Sequence, residues 1–173
     1  MSDDINQTFD YGLPDETGLT KSQKVALIGA WSIIKKDILV HGRNIFVRFF
    51  EEYPNYLHYF DFSQDSEATE MIDNKSLHAH SLNVMLFFGI LIDYGLENPV
   101  MFKCSLQKII RNHKRRGITT TDVEVLCEVV KKYCLQTLEH HRSKTLDEAL
   151  NIFLQNIALS FDTPSEPKGV VIV

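Results

Sequence analysis

Two histidines, His78 and His80, stand two residues apart at the head of an apolar run that continues through Phe88. On an α-helix each residue advances the side-chain direction by about 100°, so neighbours at i and i+2 point to nearly opposite sides. Such a pair is poorly placed to bind one metal ion together. Each histidine therefore has to be compared separately with the apolar face of its helix.

His80 falls within the apolar face that helical geometry predicts for this run. With Val84 and Phe88 it occupies an arc about 80° wide, which we expect to face the interior. His78 is turned about 160° away from His80. We therefore predict that His80 is buried and that His78 is partly solvated.

A further histidine, His113, lies on the apolar face of another predicted helix. It follows Leu106, Ile109 and Ile110 in the i, i+3, i+4, i+7 pattern of one buried helix face. An imidazole buried without a partner costs on the order of 1 to 3 kcal/mol. Two such imidazoles on two helices need a common explanation.

Two explanations remain open from the residues alone. In the first, each imidazole donates a hydrogen bond to a nearby carbonyl group. In the second, a planar and largely apolar cofactor lies between the helices, with its central iron bound by one imidazole and with the other imidazole above its second face. Two histidines are too few for a structural zinc site, and the aromatic residues at 56–62 would suit a large apolar cofactor.

The helices that would position these histidines have recognisable starts and ends. Capping boxes, in which a threonine and a Gln or Glu three residues later satisfy the first free N–H groups, are predicted at residues 20–23, 121–124 and 145–148. Asn98 before Pro99 indicates another helix start, and Gly117 indicates a helix end. Because the chain has no alternating strand pattern and no hairpin turn signal, we predict an all-α domain.

Composition and charge narrow the class of protein. The 173 residues, of which 44% are hydrophobic and 24% charged, suit one globular domain, and a net charge of −5 gives no reason to expect nucleic-acid binding. Three cysteines without Cys-x-x-Cys spacing favour reduced thiols, and Cys127 and Cys134 are expected to pack in the core. No signal segment starts the chain and no run approaches the ~18 apolar residues of a membrane span, so we expect a cytoplasmic protein that does not bind membranes.

Several residues resemble landmarks of the globin family. Trp31 resembles the tryptophan of the first globin helix, Pro54 the proline that opens the short third helix, and Phe60 the phenylalanine that wedges against haem. The interval from Trp31 to Phe46 is 15 residues and that from Phe46 to Phe60 is 14, as in the family's pattern. The resemblance covers about residues 19–161.

The histidines take corresponding places in this resemblance. His80 with Val84 resembles the distal histidine and valine pair of globins, and His113, followed by Ile118 in the next turn, resembles the proximal ligand. The segment around Phe153 is similar to the core of the last globin helix. The sequence around His80 is similar to that of invertebrate globins, including those of insects, and to those of neuroglobin and cytoglobin.

The resemblance implies a globin fold with helices packed around a haem pocket. It implies a flexible N-terminal extension at residues 1–18, a globin domain at 19–161 and a C-terminal tail at 162–173. It also implies haem b, with His113 as the permanent iron ligand and His80 as a second metal-binding residue that either donates to bound oxygen or itself ligates the iron. The residues that it places around the cofactor are Phe46, Phe60, His80, Val84, Phe88, Ile109, His113, Ile118 and Phe153.

Two departures from the family pattern concern the haem propionates and the proximal helix. Asn83 stands where Lys or Arg often pairs with a propionate, so Lys114 or Arg115 is expected to share that role. The interval from His80 to His113 is 33 residues, longer than in myoglobins. The start of the proximal helix is therefore less well fixed by the resemblance than its histidine.

The function that the resemblance implies is reversible binding of O2, with CO and NO as further ligands, for storage, delivery or sensing. A second interpretation is a haem enzyme, either a nitric oxide dioxygenase or a nitrite reductase, which would need an external reductase because no Gly-x-Gly-x-x-Gly motif is present. A third is a haem-free helical interaction module. We favour a non-enzymatic oxygen binder that is a monomer or a weak homodimer.

Overall fold

The computed structural model describes residues 12–60 and 74–162, and the regular structure in these residues is helical. Within these described residues there are six α-helices: α1 (Lys21–Ile34), α2 (Ile38–Glu52), α3 (Lys75–Ile90), α4 (Pro99–Lys114), α5 (Thr120–Thr137) and α6 (Lys144–Leu159). Short 3-10 turns lie at Lys35–Asp37, Pro54–Tyr59, Glu139–His141 and Ser160–Asp162. The predicted all-α class is confirmed. Residues 1–11 and 163–173 of the predicted extension and tail lie outside the described residues.

The first helix begins at the predicted capping box. Thr20 Oγ1 accepts from the backbone N–H of Gln23 at 3.3 Å, and Gln23 Oε1 accepts from the Thr20 N–H at 3.0 Å. Asn98 is likewise the cap of α4, where its side chain accepts from the Met101 N–H at 3.0 Å. Both helix starts were therefore correctly predicted from side chains that satisfy free backbone donors.

The two last helices begin at caps other than those predicted. The box of α5 is formed by Thr119 and Asp122, and α6 is capped by Ser143. Thr121 and Thr145 lie inside the helices that they were predicted to cap. In both cases another residue that can cap a helix lies two positions before the predicted one. The helix therefore begins before the predicted residue.

The helix that carries His80 continues past its α-helical part into a π-helical turn at Leu91–Gly95. By length and composition the segment Lys75–Gly95 could cross a membrane, with a mean hydropathy of 1.2 in its most apolar window. This differs from the sequence-based expectation that no run would approach that length. A helix in a protein core can have the same apolar composition as a membrane span. Leu77 and Leu91 of this segment are fully buried among the other helices.

A close crossing of α2 and α3 sets the position of His80. Gly42 of α2 packs directly on α3, where a β-carbon at this position would lie 3.1 Å from the backbone oxygen of Ser81. Farther along α3, Gly89 makes room for the ring of Trp31 from α1. Two glycines thus let α3 lie against α1 and α2, with His80 one residue before Ser81.

The core consists of two apolar clusters that meet beside His80. The larger cluster joins residues of all six described helices, with Ile45 from α2, and the smaller joins the aromatic end of α2 to the start of α3 and to Val129 of α5. Val84 and Leu126 pack against both clusters. The candidate site lies along this junction.

The segment before α1 is tied to the helices by polar contacts. Lys24 is only 8% exposed and its ammonium donates to Asp15 at 2.6 Å and to the backbone oxygen of Leu96. Asn156 of α6 donates to the Thr17 carbonyl at 2.7 Å. These contacts anchor residues 15–17 between α1, the end of α3 and α6.

Candidate functional site

His80 from α3 and His113 from α4 line one largely apolar cavity. About 920 Å³ of unoccupied space lies between its walls, including the part that is open to solvent. The walls come from every helix except α1, together with the two 3-10 turns that follow α2 and α6. The lining residues are Phe46, Phe49, Tyr56, Tyr59, Phe60, His80, Val84, Phe87, Phe88, Ile109, His113, Arg116, Ile118, Val123, Leu126, Cys127, Ile157 and Phe161.

The imidazole of His113 is oriented by its own helix. Its Nδ1 lies 2.9 Å from the backbone oxygen of Ile109, one helical turn earlier. Because a carbonyl oxygen can only accept, Nδ1 must carry the proton, and in the neutral ring Nε2 is left with a free lone pair. This is the arrangement in which a histidine binds a metal through Nε2 while the other nitrogen fixes the ring.

The imidazole of His80 is held between aromatic rings. Its centroid lies 5.1 Å from that of Phe46 and 5.0 Å from that of Phe60, with both pairs of ring planes close to perpendicular. Burial, with a smaller contribution from His113 and Arg116, lowers the pKa of His80 to about 4. At neutral pH the ring is therefore uncharged, so it can donate a hydrogen bond or bind a metal through an unprotonated nitrogen.

The mouth of the cavity is polar and basic. Here the space extends past His80 and His113 to Asn83, Asn112, Arg115 and Arg116. Arg116 lines both the mouth and the apolar interior. A ligand with an apolar body and anionic groups at one edge would match this distribution of side chains.

The turn after α4 explains why Arg116 reaches the cavity. The backbone N–H groups of Arg116 and Ile118 both donate to the His113 carbonyl, at 2.9 and 3.2 Å, and Gly117 adopts a φ of +80°. This positive φ favours glycine, and it reverses the chain directly after the arginine. Of the two cations predicted to share the propionate role, Arg115 lies at the mouth and Lys114 does not line it.

Eight of the nine residues predicted around the cofactor line the cavity, and the exception is Phe153. Phe153 is buried between Phe88 and Phe102, with ring centroids 6.3 and 6.1 Å away, and lines a separate small apolar cavity in the core. The resemblance to the core of the last globin helix correctly implied that Phe153 is buried. Which buried face of α6 it occupies depends on how this helix packs against its neighbours.

Several lining residues were not singled out from the sequence. Tyr56 and Tyr59 belong to the aromatic segment noted at 56–62, whereas Arg116 and Phe161 lie in turns. The Phe161 ring stands nearly perpendicular to that of His113, with centroids 6.2 Å apart. Helical periodicity gives no signal for residues in such turns.

Neither the remaining histidines nor the cysteines belong to the pair of imidazoles, His80 and His113, at the centre of the cavity. His78 does not line the cavity, which agrees with the predicted directions of the two side chains, but His78 and His80 are both half-buried, so the predicted difference in their exposure is not found. Burial raises the pKa of the Cys127 and Cys134 thiols to about 12, which agrees with core packing. Within residues 12–60 and 74–162, no three side chains among His, Cys, Asp and Glu come together as a metal site.

Comparison with known proteins places the cavity within a matched family region. A family model described as Globin matches residues 43–160, which include both cavity histidines. Hemoglobin-3 of Phacoides pectinatus is 27% identical over 123 residues, 68% of this chain and 80% of that protein. A globin of Buccinum undatum is 27% identical over 118 residues, 66% and 80% of the two chains. A myoglobin of Mustelus antarcticus is 27% identical over 104 residues, 57% and 70% of the two chains.

Proposed function

This chain belongs to the globin family, and from that premise we propose that it binds haem b in the cavity between His80 and His113 and uses it to bind O2 reversibly. The observation that carries the proposal is the pair of imidazoles that two helices bring to one apolar cavity. When bound, haem supplies a ferrous iron that takes up diatomic gases. The residues present fit such a group, because the interior is apolar and the cations lie at its mouth.

His113 is the proposed permanent iron ligand. In the neutral ring, the hydrogen bond from Nδ1 to the Ile109 carbonyl leaves the lone pair on Nε2, and it limits rotation of the ring. The ring of Phe161 stands nearly perpendicular to that of His113, and Ile118 lines the same cavity. The ring is therefore prepared for metal binding by the fold of α4 itself.

His80 is the proposed sixth ligand in the absence of gas. The lowered pKa keeps this imidazole neutral, and the rings of Phe46 and Phe60 limit its orientation. An internal ligand competes with the gas. The apparent association constant for the gas is therefore the intrinsic constant multiplied by the fraction of molecules in which the site is open. In the alternative role, His80 donates a hydrogen bond to the bound gas and the iron has no internal sixth ligand.

Arg115 and Arg116 are the proposed partners of the haem propionates. They lie at the mouth together with Asn83, which cannot supply the positive charge usual at its position. A guanidinium can bind a carboxylate through two parallel hydrogen bonds. In this proposal the positive charge for the propionates comes from the turn that follows His113 and not from the helix of His80.

Absorption spectra of the ferric, ferrous and CO-bound forms test these assignments together. We expect a Soret band with stoichiometric haem, haem b on extraction, and sharp split visible bands in the ferrous form that His80→Leu converts into one broad band. His78→Leu serves as the control, because His78 lies on the same helix and does not line the cavity. A broad ferrous band in the unaltered protein would rule out internal ligation by His80, and no Soret band after addition of haem would overturn haem binding.

Reversible O2 binding has its own measurement. The ferrous protein should form an oxygenated spectrum that returns to the deoxygenated one when O2 is removed. Rapid oxidation to the ferric form at each exposure, with no recoverable oxygenated species, would contradict the proposed function while leaving haem binding intact.

A further inference from the structure

A second cavity opens on the outer surface between α5 and α6. It is lined by Glu124, Cys127, Glu128, Lys131, Asn151, Leu154, Gln155 and Ala158, which we call the α5–α6 groove. Lys131 donates to Asn151 at 2.9 Å and so links the two helices at this groove. Cys127 is the one residue shared by the linings of the groove and of the cavity that holds His80 and His113.

The Cys127 side chain is therefore the partition between the two spaces. It is 9% exposed, and its Sγ lies 3.6 Å from the backbone oxygen of Leu154 on α6. Leu154 lines the groove and Ile157, one turn along, lines the inner cavity. Cys127 contributes only one heavy atom beyond its β-carbon to this partition.

The chemical state of Cys127 suits a passive partition. Burial, with a smaller contribution from Glu128 and Glu124, raises the pKa of this thiol to about 12. The uncharged thiol is a small apolar group with a weak donor. It presents no charge to a molecule that passes beside it.

We propose that Cys127 is the barrier on a second access route, by which small uncharged molecules such as O2, CO, NO and xenon reach the inner cavity from the α5–α6 groove. The route leads to the proposed haem site and rests on the proposed function for its physiological role. Apolar spaces inside proteins commonly stay dry and take up xenon or other apolar guests. The partition needs only a small displacement of Cys127 relative to α6 to open.

The charges at the two entrances give the route a selectivity. The groove carries Glu124, Glu128 and Lys131, so its net charge is negative, whereas the mouth beside His80 carries Arg115 and Arg116 and is positive. An anion is therefore attracted to the mouth more strongly than to the groove. Neutral gases can use either entrance, and anions enter mainly at the mouth.

Rebinding of CO after flash photolysis of the haem-loaded protein tests the barrier. In Cys127→Ala the bimolecular rate should rise at least about threefold, which corresponds to a barrier lowered by about 0.7 kcal/mol. Association of azide with the ferric form should remain unchanged, because this anion enters at the mouth. Equal CO rates in Cys127→Ala and the unaltered protein, or a parallel rise for azide, would overturn the proposal.

Two matched controls separate the route from general loosening of the core. Cys134→Ala removes a buried thiol from the same helix that lines neither the groove nor the inner cavity. Val123→Ala enlarges the inner cavity without touching the groove. A rise in Val123→Ala as large as that in Cys127→Ala would show that cavity size alone sets the rate, and would exclude the route.

Xenon tests the same partition without any gas chemistry at the iron. In the full chain, with and without haem, xenon NMR should give a rate of xenon exchange with the inner cavity, reported at the Ile157 methyl groups, that rises in Cys127→Ala and falls in Cys127→Leu. Equal exchange rates in the unaltered protein and in both variants would overturn the proposal. Failure of the protein to take up haem would remove the proposed function, whereas the xenon result would still decide whether the route exists.

Discussion

Gly42 of α2 and Met85 of α3 approach so closely that a β-carbon on Gly42 would lie 2.7 Å from Met85 Cγ. Contacts this short do not occur between real side chains, and the backbone oxygen of Ser81 closes the other side at 3.1 Å. Because His80 precedes Ser81, this crossing helps to fix the imidazole of His80 relative to Phe46. The two helices cannot separate without moving both sides of the cavity.

Gly42→Ala should therefore destabilise the protein by roughly 1 to 3 kcal/mol, the usual cost of overpacking. Gly29→Ala is the matched control, since Gly29 lies in α1 with nothing within 4 Å of a new β-carbon, and should stabilise the helix by roughly 0.5 to 1 kcal/mol. Urea unfolding of both variants measures the free energies. Effects of the same sign would contradict the packing argument.

Replacing His113 should abolish tight haem binding. His113→Gly removes the proposed iron ligand, so the affinity should fall by more than the ~10- to 100-fold that loss of an outer partner costs a metal site. Added imidazole should restore the Soret band by entering the space left by the ring. Titration with haem measures both effects, with His141→Gly as an exposed control. Unchanged stoichiometry and an unchanged spectrum in His113→Gly would show that another residue holds the iron.

Loss of Arg116 should speed the release of haem. Arg116→Gln removes a cation that lines both the mouth and the interior, and a hydrogen bond to a charged group is worth about 1.5 to 3 kcal/mol. Transfer of haem to an acceptor protein gives the rate. Arg111→Gln is the control, because Arg111 is exposed on α4 and lines neither space. The same rate of transfer in the two variants would count against the propionate assignment.

The three thiols should differ sharply in reactivity. Thiols with a pKa near 12, as for Cys127 and Cys134, are thiolate in only about one molecule in ten thousand at pH 8, whereas Cys104 is exposed. Ellman's reagent should modify one thiol per folded chain quickly and all three after unfolding. Cys104→Ser should remove the fast phase. A second fast thiol in the folded protein would show that one helix opens more readily than its burial implies.

The burial of His41 should make stability depend on pH. His41 Nδ1 lies 2.8 Å from the Tyr133 hydroxyl, and burial, opposed by Asp37, lowers the pKa of His41. The unfolded chain then binds more protons between the lowered value and about 6.5, so the free energy of unfolding rises with pH across that window and is level above it.

Urea unfolding of the haem-free protein between pH 5 and 8 measures this dependence. His41→Gln should reduce the slope below about pH 6.5 without abolishing it, because His80, with a pKa lowered to about 4, contributes in the same window. His141→Gln, at an exposed position, should leave the profile unchanged. Identical slopes in the unaltered protein and in His41→Gln would assign the pH dependence to other groups.

The sequence predicted what depends on local spacing. His80 and His113 could be assigned to apolar faces because helical phase alone separates them from neighbours such as His78. The capping box at Thr20 was predicted correctly. The nearest upstream threonine, Thr17, is bound to Asp15 instead. At α5 three consecutive threonines at 119–121 can serve as caps, and at α6 Ser143 competes with Thr145. Local chemistry does not decide which of them begins the helix.

Features that depend on tertiary packing were out of reach. Phe153 was correctly expected to be buried, but whether it faces the cavity or Phe102 depends on how α6 is rotated against its neighbours. Arg116 was missed because its position follows from the reversal at Gly117, and helical periodicity ends before that turn. Cys127 lines two spaces because of the way in which α5 and α6 pack together. The sequence of either helix alone does not indicate this.

The buried ammonium of Lys24 sets a practical limit on shortening the chain from its amino end. Its strongest partner, Asp15, lies in a segment that a designer would readily remove as an extension. Without Asp15 the charge would keep the Leu96 carbonyl and a distant Glu97 at 3.9 Å, and an uncompensated buried charge costs about 3 to 5 kcal/mol. Expression boundaries and fusion junctions are therefore best placed before residue 15.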